Sequence, residues 1–229
     1  MQMSDFNLIL FVNAAVLAAT PLLLGTLGEI LTEKGGNLNL GVEGMMMMGA
    51  ACSMAGAFIY ERAAGAGAIP IIAVLLAVLF GFLAGALGGL IYAVVTVTFR
   101  ANQNVTGLTL TIFGIGLGNF IGELLGQAGG GYASVSEGTK LLFSSVNIPV
   151  LSSIPVVGRL LFSYDLVVYL AIAIAIVLSW YLNKTRSGLN LRAVGESPAT
   201  ADAAGINVTR NKYIATCIGG GICGLAGMY

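Results

Sequence analysis

The sequence predicts an all-α fold, a polytopic transmembrane helical bundle, on three observations. Hydrophobic residues make up 57% of the 229 residues and charged residues only 9%, whereas soluble domains carry about a quarter charged residues. Mean hydropathy is +0.93. The charges are clustered, leaving apolar runs of roughly 20 residues, the length a helix needs to cross about 30 Å of hydrocarbon. These runs predict a single domain over 1–229 with about six spans, near 6–28, 41–60, 70–99, 105–127, 166–183 and 213–229.

Each span has its own signature. Phe6–Gly28 is uncharged and carries Pro21, which marks a kink. Gly41–Tyr60 follows and contains Glu43. No charge lies between Arg62 and Arg100, which leaves ample room for the third span. Val105–Gln127 and Leu166–Asn183 are the fourth and fifth, and Tyr213–Tyr229 is the sixth. The stretch 128–164 holds Gly129–Gly131, a Ser/Asn cluster, Pro149 and Pro155, too polar for a span. It is expected to be an external loop with a short amphipathic element. The stretch 184–212 carries Lys184, Arg186, Arg192, Arg210 and Lys212. The bias of Lys and Arg toward the cytoplasm therefore places it inside. Counting back puts the N-terminus outside, unless a re-entrant half-helix near Gly35–Gly44 reverses the parity.

Composition narrows the function. Net charge is zero, so nothing favours nucleic acid. The chain has no His, which removes the commonest general base and metal ligand. Cys52, Cys217 and Cys223 lie in apolar runs and read as packing residues. No catalytic group and no metal site is expected. Gly81, Gly85 and Gly89 in the third span, and Gly114, Gly118, Gly122 and Gly126 in the fourth, recur every four residues. That spacing puts them on one face, where backbones approach closely.

Polar residues at membrane depth are expensive and so are functional candidates. Glu43 sits in GGNLNLGVEGMMMMGA, where Gly35, Gly36, Gly41 and Gly44 loosen the backbone before a Met-rich helix. One reading has Asn37, Asn39 and Glu43 shape a solute pathway or its inner gate, as irregular backbone does where it lines a cavity. The other has Glu43 in the first turn of the second span, facing the positive end of the helix dipole. Met45–Met48 read as flexible packing, with a soft-ligand lining as the sharper alternative. Asn102, Gln103 and Asn104 open the fourth span and serve either as caps or as hydrogen-bonding partners of a polar solute. Glu123, near the outer end of that span, reads as reaching the interface. Tyr92, Phe113 and Phe120 are candidates to stack on a planar solute or simply to pack.

Within 184–212, Ser197-Pro198 reads as an N-cap and first helical position. A short helix over about Pro198–Ala204 ends at Gly205 as a C-cap, and Asn207 caps a following turn. SGLNLRAVGESPATADAAGINVTRNKY resembles the cytoplasmic coupling loop of permeases of bacterial ABC importers for branched-chain amino acids, simple sugars and nucleosides. GEILTEKGGNLNLGVEGMMMMGA resembles that family's other signature, and RANQNVTGLTLTIF looks like the segment of its nucleoside and simple-sugar members.

The resemblance implies a multi-pass permease of the bacterial inner membrane. It would be paired with a second, homologous permease, driven by a cytoplasmic ABC ATPase and supplied by an extracytoplasmic solute-binding protein. It implies that Gly195, Glu196, Ser197, Pro198, Ala201, Ala204 and Gly205 form the ATPase-coupling loop. No GxxxxGK[ST] phosphate loop is present, so the chain is expected to be no enzyme and to need no cofactor, ATP being used by the partner. A nucleoside is the expected solute, with a simple sugar or branched-chain amino acid as the alternative. An ion-gradient transporter is disfavoured because Glu43 and Glu123 lie near span ends. Family members carry more spans after the coupling loop, so the sequence reads as truncated at its C-terminus.

Overall fold

The structure is a computed structural model that describes residues 8–143 and 164–229. Nine helices occur among the described residues: α1 Leu8–Lys34, α2 Val42–Ala64, α3 Pro70–Ala93, α4 Gln103–Ala128, α5 Glu137–Leu142, α6 Leu166–Lys184, α7 Arg186–Glu196, α8 Pro198–Ala203 and α9 Val208–Met228. Local chemistry sets several boundaries. Pro70 opens α3 at its first turn, where its missing N–H costs nothing. The Asn102 side chain caps α4 by accepting from the amides of Asn104 and Val105 at 3.0 and 3.2 Å. Asn207 caps α9 through the Arg210 amide at 2.8 Å. α3 continues into a π-helical turn, Val94–Thr98, a feature that often marks functional sites.

α1 runs past the expected end of its span, from Leu8 through Pro21 to Lys34. α2 is one continuous helix, so the backbone irregularity lies wholly in the 35–41 connection before it. α5 is the short element expected in the external stretch; the rest of that stretch lies mostly outside the described residues. Glu61, near the end of α2, holds the start of α5. It accepts from the Ser136 amide at 2.6 Å, the Ser136 hydroxyl at 2.8 Å and the Thr139 hydroxyl at 2.5 Å. Arg62 donates to the Ala128 carbonyl at the same end. At the opposite end the 35–41 connection meets the beginnings of α4 and α9 and the end of α7. By the order of the elements, Lys34 at the end of α1, Arg100 after α3, Lys184 at the end of α6, Arg186 and Arg192 on α7, and Arg210 and Lys212 in the first turns of α9 fall on that side of the bundle.

Five helices are long and apolar enough to cross a membrane: those over Leu10–Lys34, Val42–Ala64, Pro70–Thr98, Gln103–Ala128 and Leu166–Lys184. The expected sixth span, 213–229, lies in α9 and is not among them. Its hydropathy falls short because it starts in the polar run Val208–Lys212 and is rich in glycine. α9 fills the centre of the bundle, with Ala215, Thr216 and everything from Gly219 to Ala226 buried. A helix sheathed by protein has no need of lipid-facing Leu or Ile, and its glycines lower its hydropathy. A Cβ on Gly28 would collide with Gly219 and Cys223, one on Gly49 with Gly224, and one on Gly85 with Gly220. So α1, α2 and α3 each meet α9 backbone to backbone.

The glycine faces behave unequally. Gly81, Gly85 and Gly89 all face α9. On α4, Gly114 and Gly118 press on Gly44 and Met47 of α2, but Gly122 meets nothing within 4 Å and Gly126 only the Gly131 carbonyl. The stripe on α4 therefore packs in its inner half alone. Replacing Gly85 by Val is expected to destabilise the bundle by at least about 1–3 kcal/mol through overpacking, read as a lower melting midpoint in detergent. Gly122→Ala, made in parallel, is expected to leave the midpoint unchanged or to raise it.

Candidate functional site

The 35–41 connection is built from glycine turns and buried amides. α1 ends in a Schellman turn: the Gly36 amide bonds to Glu33 O at 2.8 Å and the Asn37 amide to Thr32 O at 3.3 Å. Gly36 takes φ +81° there, the left-handed conformation glycine tolerates best. Beyond it the chain is non-helical until α2. Backbone groups buried without a helix must find partners elsewhere, and side chains from four helices supply them.

Gln103, on the first turn of α4, accepts from the Leu38 amide at 2.8 Å and donates to the Gly36 carbonyl at 3.4 Å. Tyr92 of α3, wholly buried, donates its hydroxyl to the Leu38 carbonyl at 2.5 Å. Thr111 of α4 donates to the Leu40 carbonyl at 3.0 Å. Glu29 of α1 accepts from the Asn39 amide at 2.8 Å. Lys212 of α9 donates to the Gly36 carbonyl at 3.4 Å, and burial pulls its ammonium below the usual lysine range. The two buried asparagines lock inward: Asn37 Nδ2 donates to Thr216 Oγ1 at 3.1 Å, while Asn39 Nδ2 points to Met45 Sδ at 3.6 Å and its Oδ1 accepts from the Gly41 amide.

Of the six residues expected to shape a pathway, the structure brings Asn37, Asn39 and Gln103 together. It does not bring the others. Glu43 is exposed on the first turn of α2, in line with the helix-dipole reading. Asn102 is spent capping α4, and Asn104 is exposed. Glu29 and Tyr92 join the cluster instead. Glu29 sits in GEILTEK, which reads as the polar exit of a span; only the fold turns it toward Asn39. Its Oε2 is buried with no hydrogen-bond partner among the described residues. Beside the cluster, between the end of α3 and the start of α4, lies a cavity of about 320 Å³ lined by Tyr92, Val95, Thr106, Thr109, Leu110 and Phe113 among others. Tyr92 thus touches both the cavity and the connection; Phe120 is not part of this lining.

The stretch after α6 holds two helices where one was expected. RSGLNLRAVGE buries Gly188, Leu191 and Val194, a single face at helical spacing, and Thr185 caps it through the Gly188 amide at 3.0 Å. α8 starts with Ser197 at the N-cap and Pro198 at N1, but the Ser197 hydroxyl bonds the Thr200 hydroxyl at 2.8 Å rather than a backbone amide. A second Schellman turn ends α8, with Gly205 at φ +80° and the Ile206 amide on Ala201 O at 3.0 Å. Glu196, Ser197, Pro198, Ala204 and Gly205 are exposed, whereas Ala201 is buried beneath them. Gly195 faces the other way: a Cβ there would strike the Lys34 carbonyl and lie 3.2 Å from the Gly36 nitrogen.

The Asn37–Thr216 bond gives a direct measurement. Asn37→Leu is expected to cost about 1–3 kcal/mol, because Thr216 Oγ1 loses its buried donor. Adding Thr216→Val should recover part of that loss, a coupling that a double-mutant cycle of melting midpoints reads.

The family model described as "Branched-chain amino acid transport system / permease component" matches residues 11–229. The chain is 37% identical over 211 residues to a nucleoside ABC transporter permease protein of Lactococcus lactis subsp. cremoris, covering 91% of this chain and 63% of the relative. It is 37% identical over 223 residues to a guanosine ABC transporter permease protein of Bacillus subtilis, covering 95% and 66%. A putative glucose ABC transporter permease protein of Haloferax volcanii matches at 35% over 221 residues, covering 95% and 61%. The chain spans a little under two thirds of the length of these relatives. No solved structure matches it. The match over nearly all of the chain, on a bundle of membrane-length helices with a short exposed helix after the fifth of them, makes this protein a member of the branched-chain amino acid transport system permease family.

Proposed function

We propose that the chain forms the solute pathway of an ABC importer, as a permease subunit of the cytoplasmic membrane, and that its solute is a nucleoside. The family match over residues 11–229 carries this reading. Two permease relatives at 37% identity are named for a nucleoside and for guanosine. The cavity between α3 and α4 supports it through its mainly apolar lining, in which Tyr92 and Phe113 offer aromatic surface for a planar base. A simple sugar is the second reading, favoured by the 35% identity to the putative glucose permease.

In this reading the α7–α8 end faces the cytoplasm, and Glu196–Gly205 docks on a separate ATPase that binds and hydrolyses ATP. The basic residues gathered at that end support the orientation. An exposed helix of small residues, closed by Pro198 and Gly205, suits a groove on a partner. A second permease and an external solute-binding protein complete the assembly. Asn37 and Asn39 spend their amides within the chain, so their part is to shape the 35–41 connection rather than to touch solute.

Two measurements test this. The cognate solute-binding protein, titrated with nucleosides, pentoses and branched-chain amino acids, is expected to bind a nucleoside; selective binding of a sugar would shift the assignment to the second reading. Replacing Ser197–Gly205 by a Gly/Ser linker in the full-length permease is expected to abolish ATP-dependent uptake, and unchanged uptake would sink the docking role.

A further inference from the structure

α4 is embraced on one side only. It lies along α2, touches α3 only weakly, and its outer glycine Gly122 is uncovered. Leu108, Ile112, Phe113, Phe120 and Leu124 all face outward. Its beginning is nevertheless fastened to the 35–41 connection by Gln103, which grips the chain on both sides of Asn37, and by Thr111. The connection's far side rests on α7, where Gly195 lies against Lys34 and Gly36 with no side chain between. Backbone contact of this kind transmits displacement, because close-packed atoms do not compress. α9 also meets Gly36 through Lys212, but α9 is held by α1, α2 and α3 at once and cannot shift alone.

We propose that the 35–41 connection relays movement of α7–α8 to α4, with Gly195 as the pushing contact and Gln103 as the positioning residue that makes α4 follow. The proposal rests on the reading that α7–α8 docks on an ATPase. Gln103, a candidate for solute contact by sequence, acts in it on the protein's own backbone.

The test uses the full-length permease with its ATPase and binding protein in proteoliposomes, scoring solute taken up per ATP hydrolysed. Gln103→Leu is expected to leave assembly and ATP hydrolysis near wild type and to lower uptake per ATP by about tenfold, within the usual range of coupling between sites. Gln103→Glu, which keeps the acceptor for the Leu38 amide, is expected to restore part of it. Gly195→Ala, which disturbs the other side of the relay, is expected to lower the same ratio. Wild-type uptake per ATP in assembled Gln103→Leu and Gly195→Ala complexes would overturn the relay. Failure of both variants to assemble would overturn it too, since the junction would then be a folding element. Absence of ATP-dependent uptake by the wild type would instead refute the importer reading.

Discussion

Everything in this bundle depends on how closely α9 lies to three other helices. Contact between backbones requires that neither side carry a Cβ at the crossing, and Gly28, Gly49, Gly85, Gly219, Gly220 and Gly224 meet that requirement in pairs. In hydrocarbon, lipid tails are as apolar as leucine, so helices associate through close van der Waals contact and polar bonds rather than through burial of apolar area. The glycines provide the contact. Thr216, on the same helix, provides a polar bond with Asn37.

This packing fixes where irregular backbone can exist. The irregular 35–41 connection is tolerable because α1, α3, α4 and α9 surround it with donors and acceptors. Each bond is modest, about 0.5–1.5 kcal/mol net, but leaving the groups unpaired would cost more. The connection is thus both a structural debt of the fold and the point where the ends of several helices converge. The exposed α7–α8 stretch rests on it through Gly195, which places the surface read as a docking site one contact away from the start of α4.

Local signals explain what was legible. Ser197-Pro198, Gly205, Asn207 and Asn102 mark helix ends where they occur, because capping depends on residues within three or four positions. α7 was harder to see: its polar composition hides an apolar face of only Gly188, Leu191 and Val194. Glu29 and Tyr92 carried no local mark as members of the polar cluster, since their partners Asn39 and Leu38 lie on the far side of a turn or in another helix. Gln103 and Asn102 are neighbours of similar chemistry, yet one grips the connection and the other caps its own helix.

Composition, charge-free run length and the order of two signature segments determined that this is a helical membrane protein of one family, because those properties follow from solvent and from local chain geometry. Tertiary structure decided the rest. It buried α9 at the centre of the bundle, it turned Gly122 outward while Gly114 packs, and it joined Asn37 to Thr216 across 179 residues of chain. Contacts at such separation depend on how helices cross, and periodicity within one helix says which face is small or polar but not which neighbour will meet it.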